Sequence, residues 1–193
     1  MNLNEATRTG LGVAIDAADL VGVAVDPATR TAIVTFLVPV PADGECRRAR
    51  DVQLLLHPVA RVAASLRHGA PHGRAATVVA QSLGDLPATV RSFGGMPVHG
   101  CGFFDAHETG LAQWGDRLSL DWRSGRGAGR HSLTLCQDAA DRRVDLCIWF
   151  DDLEVLDGRG FRIPVASFIA DGRECRRASR ARGLPTAGRG QWV

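Results

Sequence analysis

Two stretches of the chain share a pattern of polar loop and apolar run. Asp26-Pro27-Ala28-Thr29-Arg30 leads into Thr31-Ala32-Ile33-Val34-Thr35-Phe36-Leu37-Val38. Asp138-Ala139-Ala140-Asp141-Arg142 leads into Arg143-Val144-Asp145-Leu146-Cys147-Ile148-Trp149-Phe150. Each run alternates or saturates with apolar residues at the two-residue period of a strand. Pro27 suits the second position of a type I turn. Residues 20–25 and 31–40 therefore read as one hairpin, and 132–137 with 143–150 as another. In the latter, Val144, Leu146, Ile148 and Phe150 share one face, and Asp145, Cys147, Trp149 and Asp151 the other.

The same reading gives strands over 51–57, 75–80, 88–93, 98–104, 118–122 and 153–156, and one over 161–169, bulged or at an edge because of Pro164. The apolar spacing of Val59, Val62, Ala63 and Leu66 predicts a short helix over 59–67. Residues 4–8 can start a helix, but Gly10 and Gly12 argue against a long one. Gly94-Gly95-Met96-Pro97 is a midpoint break. Beyond Gly172 the chain is rich in Arg, Ala and Gly, and reads as a short helix followed by a mobile tail. The expected fold is mainly β: antiparallel sheets in a sandwich- or barrel-like single domain over 1–172, with minor helix, and an Arg-rich segment over 173–193. A second echo, Glu45-Cys46-Arg47-Arg48-Ala49 against Glu174-Cys175-Arg176-Arg177-Ala178, raises the option of related halves, 19–93 and 98–172.

Composition narrows the class. The 193 residues are 45% hydrophobic and 23% charged, ordinary for a globular domain. All 23 basic residues are arginine and tyrosine is absent, a bias that suits a GC-rich bacterial genome. No window resembles a membrane span, and the N-terminus lacks the basic-then-apolar order of a signal peptide. The five cysteines (Cys46, Cys101, Cys136, Cys147, Cys175) form no Cys-x-x-Cys pair. They are expected to be mostly reduced thiols, and the protein cytoplasmic. The net charge of +2 is uneven. Residues 173–193 hold six arginines and one acid, whereas 138–157 hold seven carboxylates and two arginines.

Candidate chemistry is sparse. His99, Cys101, His107 and Glu108 cluster in sequence around one strand and offer imidazole, thiol and carboxylate, a set able to bind Zn²⁺ or to form a Cys/His pair. The spacing matches no established metal motif. His68 and His72 flank a Gly-Ala-Pro loop. Asp151, Asp152 and Glu154 follow a strand and are the residue type for a hard cation or a solvated rim. Gly125, Gly127 and Gly129 with Arg123, Arg126 and Arg130 lack the Gly-Lys-Ser/Thr of a phosphate loop and read as a flexible connection. The Arg-rich 173–182 lacks the interleaved aromatics of a nucleic-acid surface. Trp149 with Asp145, Asp151 and Asp152 forms a candidate interaction face. An arginine-bearing partner would suit it, and the tail 173–182 or a second copy of the chain can supply one. The function expected is a non-catalytic binding or protein-interaction module, with a small metal-dependent or cysteine hydrolase built on His99, Cys101 and His107 as the alternative. No membrane and no nucleic-acid partner is expected, and no cofactor other than the optional zinc.

Overall fold

The computed structural model describes residues 3–16, 18–42, 45–69, 76–111 and 114–181, with the side chains of 42–48 left aside. In chain order the elements are α1 (Glu5–Ile15), β1 (Asp19–Asp26), β2 (Thr31–Ala42), β3 (Glu45–His68), β4 (Thr77–Val78), α2 (Leu86–Ser92), β5 (His99–Asp105), a 3-10 turn (Ala106–Glu108), β6 (Leu120–Arg123), β7 (His131–Asp138), β8 (Arg142–Asp157), β9 (Arg162–Ile163) and α3 (Val165–Ala181). The protein is mainly antiparallel β, as its patterning indicates. The strands form one nine-stranded open sheet in the order β1-β2-β3-β8-β7-β5, with β4 and β6 on β3 and β9 on β8. Among the described residues a single isolated bridge links the two edges, from Asp19 of β1 to Pro97 just ahead of β5. Gln137 of β7, wholly buried, clasps this seam by donating from Nε2 to the carbonyls of Leu20 and Met96, both at 3.0 Å.

The long β3 and β8 are the spine. Leu56 of β3 lies beside Ala32 of β2 on one side and Leu153 of β8 on the other. Beyond the bulge at Val59/Arg61, β6 and then β4 replace β2 as the neighbour of β3. One face carries the main core: Val34, Phe36, Leu54, Leu56, Leu133, Leu135, Ile148, Phe150 and Val155, closed over by Leu11 and Ile15 of α1, Leu86 and Val90 of α2, and Phe168 and Ile169 of α3. Each fully buried Leu, Ile or Phe contributes about 1.5–3 kcal/mol. That outweighs the roughly 1 kcal/mol that a mid-helix glycine costs. Hence α1 runs through Gly10 and Gly12 for eleven residues, capped by Asn4, whose Oδ1 accepts from the Thr7 N–H at 2.9 Å. Gly10 also serves packing, since a Cβ there would sit 2.8 Å from Cγ2 of Ile169.

Three sequence expectations are corrected. Residues 59–67 continue β3 rather than forming a helix. The bulge between Val59 and Arg61 resets the alternation, so Val59 and Val62, three apart as in a helix, both face the main core, while Ala63 turns to the opposite side of the strand. Residues 88–92 belong to α2, with Phe93 its C-cap, and not to a strand, because Pro87 sits in the first turn and Leu86 and Val90 are buried one turn apart. Residues 161–169 form only the two-residue β9 before α3 begins just past Pro164, burying Phe168, Ile169 and Cys175 on one face. Position 172 is thus interior to a continuous helix, and the Arg-rich segment as far as Ala181 is part of the body. The remainder, 182–193, lies outside the described residues.

The first pair of echoes does repeat as structure, each loop joining an antiparallel hairpin, β1–β2 and β7–β8. The second does not: Glu45 to Ala49 is strand in β3, and Glu174 to Ala178 is helix in α3. Cys101, Cys136 and Cys147 are free thiols. Cys175, by contrast, is disulfide-bonded. Among the described residues no helix is long and apolar enough to cross a membrane.

Candidate functional site

The residues proposed from sequence around β5 do not converge. His99 opens the strand and is exposed, whereas His107 and Glu108 are exposed in the 3-10 turn past its far end. At about 3.3 Å per residue the two histidines are roughly 20 Å apart. A bulge between His99 and Gly102 turns Cys101 to pack against the main core. Burial, with the charge of Asp16 second, pushes the Cys101 thiol well above its ordinary value, the opposite of what a nucleophile or ligand needs. Glu108 is committed to a cap, its Oε2 accepting from the Asp105 N–H at 2.8 Å. Among the described residues no group of three or more His, Cys, Asp or Glu side chains is placed to hold a metal, so the set does not fit zinc. His68 is exposed at the end of β3, and His72 lies outside the described residues.

The outward alternation read for β8 holds, but its aromatic is covered. Trp149 is 5% exposed, packed with Cys147, Ala60 and Ala63 beneath Leu111, Trp114 and Leu118 of the segment 106–119. The guanidinium of Arg61 lies 5.1 Å from the Trp149 ring centroid and grips Asp121 with two bonds, 2.6 and 2.8 Å. Arg61 holds the Asp121 carboxyl below its usual range. Asp145, 4% exposed, lies between Arg67 at 2.5 Å and Arg143 at 2.9 Å. The arginine partners foreseen for this face therefore come from β3 and β8. Within 173–181 the helix lies elsewhere, packing α3 on α1, with Arg176 facing Asp16 at 3.7 Å. The acidic run is also spoken for. Asp151 accepts from the Arg130 N–H at 2.9 Å, Asp152 from the Leu153 N–H at 2.9 Å, and Glu154 pairs with Arg162 at 2.5 Å and faces His57 at 3.7 Å.

One cluster escaped the sequence reading. Arg8 of α1 pairs with Asp105, which also meets Nδ1 of His131 at 3.1 Å. The Arg8 hydrogen bond, ahead of His131, lowers the Asp105 carboxyl. His131 is 6% exposed and its ring lies 6.1 Å from that of Phe150. This cluster ties α1 to the ends of β5 and β7. Only the topology brings the three residues together.

The most exposed large apolar side chain described is Phe161, at 69%. It leaves the turn between β8 and β9, and that turn is braced throughout. Asp157 Oδ1 accepts from the N–H groups of Arg159 and Phe161, both at 2.9 Å. The Asp157 N–H donates to the Phe161 carbonyl at 2.8 Å, and the Gly160 N–H to the Asp157 carbonyl at 2.9 Å. Gly160 takes φ 84°, where a side chain would be strained. On the sheet side, a Cβ at Gly158 would press on Asp51 at 2.9 Å. Arg159 is exposed beside Phe161, and Arg162 is exposed on β9. Comparison with protein families, curated proteins and solved structures finds no match to this chain.

Proposed function

We propose that this protein is a protein-interaction module that engages its partner through the β8–β9 turn, with Phe161 as the anchor. The observation that carries the reading is the pairing of 69% exposure with a turn held by four hydrogen bonds. An exposed phenylalanine forgoes the burial that stabilises its equals in the core. A braced backbone means that little conformational entropy is lost when a partner covers the ring. Rigid aromatic anchors of this kind are where binding energy concentrates. The hydrolase alternative lacks support of this sort, since His99 and His107 stand at opposite ends of β5 and the Cys101 thiol is held protonated.

The test is a benzoyl-phenylalanine photo-crosslinker placed at position 161, with exposed Thr77 as the control position, in cells of the source organism. The captured protein is then purified and titrated against the wild-type chain and Phe161→Ala. The expected result is an adduct from 161 and not from 77, and a binding constant weakened about tenfold or more by the alanine. No adduct, equal adducts from both positions, or an unchanged constant overturns the reading.

A further inference from the structure

The two halves of α3 are held in different ways. The first half buries Phe168 and Ile169, and beyond them the helix buries only Cys175. Cys175 is 4% exposed and disulfide-bonded, with its Sγ 3.6 Å from the Pro39 carbonyl oxygen of β2. The ion pair described for the second half, Arg176 with Asp16, is loose at 3.7 Å. Arg173, Arg177 and Arg180 are exposed. Together with Arg176 they recur at spacings of three and four, where like charges on a helix repel, and Glu174 offsets this only in part. Neither apolar burial nor charge pairing accounts for the order of residues 173–181, which leaves the covalent tether.

We propose that the disulfide at Cys175 is a redox latch: when it is bonded the arginine-bearing half of α3 stays docked, and when it is reduced that half comes free while the sheet stays folded. The latch lies within two turns of the end of α3 at Ala181, where a helix opens locally and admits a small thiol. The reductant is a thiol such as glutathione. One thiolate attacks a sulfur of the bond and forms a mixed disulfide, which a second thiolate resolves. Two electrons and two protons thus reach the protein as two thiols, and the reductant leaves as its own disulfide. The remaining free thiols do not interfere. Burial pushes Cys101, Cys136 and Cys147 well above the ordinary thiol value, and a protonated thiol does not attack a disulfide. Reduction therefore opens one bond without reshuffling. The first half of α3 keeps its place through Phe168 and Ile169, and through the close approach of Gly172 to Ala14.

The test equilibrates the full oxidised chain in buffers of rising reduced-to-oxidised glutathione ratio, without denaturant. Alkylation and mass spectrometry follow Cys175, hydrogen exchange follows α3, and brief trypsin treatment reports local opening. The expected result is that Cys175 passes from bonded to free across the series and returns to bonded in oxidised glutathione. Exchange at the amides of 177–181 should then quicken about tenfold or more, with Ile169 and β3 unchanged. Trypsin should cut after Arg173, Arg176 and Arg177 in the reduced chain alone. Cys175→Ser should behave as the reduced chain in every buffer. Exchange and cleavage in α3 that ignore reduction overturn the latch. So does unfolding of the whole sheet on reduction, which would make the bond a staple of the fold. A bond that glutathione leaves intact in the native chain overturns it as well.

Discussion

Three glycines in the two packed helices give a prediction whose signs differ although the substitution is the same. Replacing a mid-helix glycine by alanine gains about 0.8–1.0 kcal/mol of helix propensity. At Gly12 of α1 a new Cβ meets nothing within 4 Å, so Gly12→Ala should keep nearly all of that gain. At Gly10 the Cβ would lie 2.8 and 2.9 Å from the end of the Ile169 side chain, which is itself buried. Overpacking costs about 1–3 kcal/mol, so Gly10→Ala should be neutral to destabilising by about 2 kcal/mol. At Gly172 of α3 the Cβ would run into the backbone of Ala14, which cannot rotate away, so α3 must shift off α1. Its overpacking cost lies at the upper end, and Gly172→Ala should lose about 1–2 kcal/mol net. Each kcal/mol moves Tm by about 2–4 °C in a chain of this size. Gly12→Ala should therefore melt about 2–4 °C above wild type, and Gly172→Ala about 2–8 °C below it. Urea titrations with unchanged slope should give the same order. If Gly172→Ala proves as stable as Gly12→Ala, the close α1–α3 contact does not govern how these helices are held, and the packing argument fails.

Three further outcomes are expected. Asp121 has its carboxyl lowered by Arg61 first and Arg123 after it. Its stabilising contribution is thus complete above the unfolded value near 3.8 and lost as pH falls through the folded value, so the Tm gap between wild type and Asp121→Asn should close in that window and stay open at pH 7. Alkylation in denaturant without reductant should label Cys101, Cys136 and Cys147 and spare Cys175, with Cys175 labelled once reductant is added; in the native protein Cys136 and Cys147, whose thiols burial pushes up, should resist. Gln137→Ala removes both clasping bonds, so hydrogen exchange at the Leu20 and Val98 amides, which donate across the seam to Met96 and Ala18, should accelerate more than at β3 and β8; uniform acceleration would show that the clasp has no local role.

The hairpins β1–β2 and β7–β8 could be read from the chain because their alternation is local and one face is buried. The second half of β3 could not. A register reset after Pro58 leaves Val59 and Val62 three apart, and only a neighbouring strand distinguishes that from a helix. The apolar run from Phe161 resembles the start of a long strand for a related reason. Phe161, Ile163, Val165 and Phe168 are all apolar, but Pro164 divides them between a turn, two residues of strand and a helix. The alternation along β8 does assign Trp149 its face, with Cys147 and opposite Ile148. What covers it, Leu111, Trp114 and Leu118, follows no periodicity that would announce it. Arg8, Asp105 and His131 come from three elements, and no sequence spacing records their meeting. At the level of local pattern, Glu-Cys-Arg-Arg-Ala is silent about its own conformation, being strand at 45–49 and helix at 174–178.

The pairing of β3 with β8 also dictates an order of events as the chain is made. Its partners are separated along the chain by 74 residues at His68 with Arg142 and by 105 at Val52 with Asp157. The hairpin loops, by contrast, bring together Asp26 with Thr31 and Asp138 with Arg143. Loop closure is costly before the contacts it enables can form, so sheets dominated by distant pairs assemble slowly. On a ribosome β1, β2 and the first half of β3 emerge as a meander whose β3 edge is empty. The edge of β3 that will receive β8 stays open until residue 157 has left the exit tunnel. During that interval it is a template for any passing strand, and the nascent chain is at its most prone to aggregate.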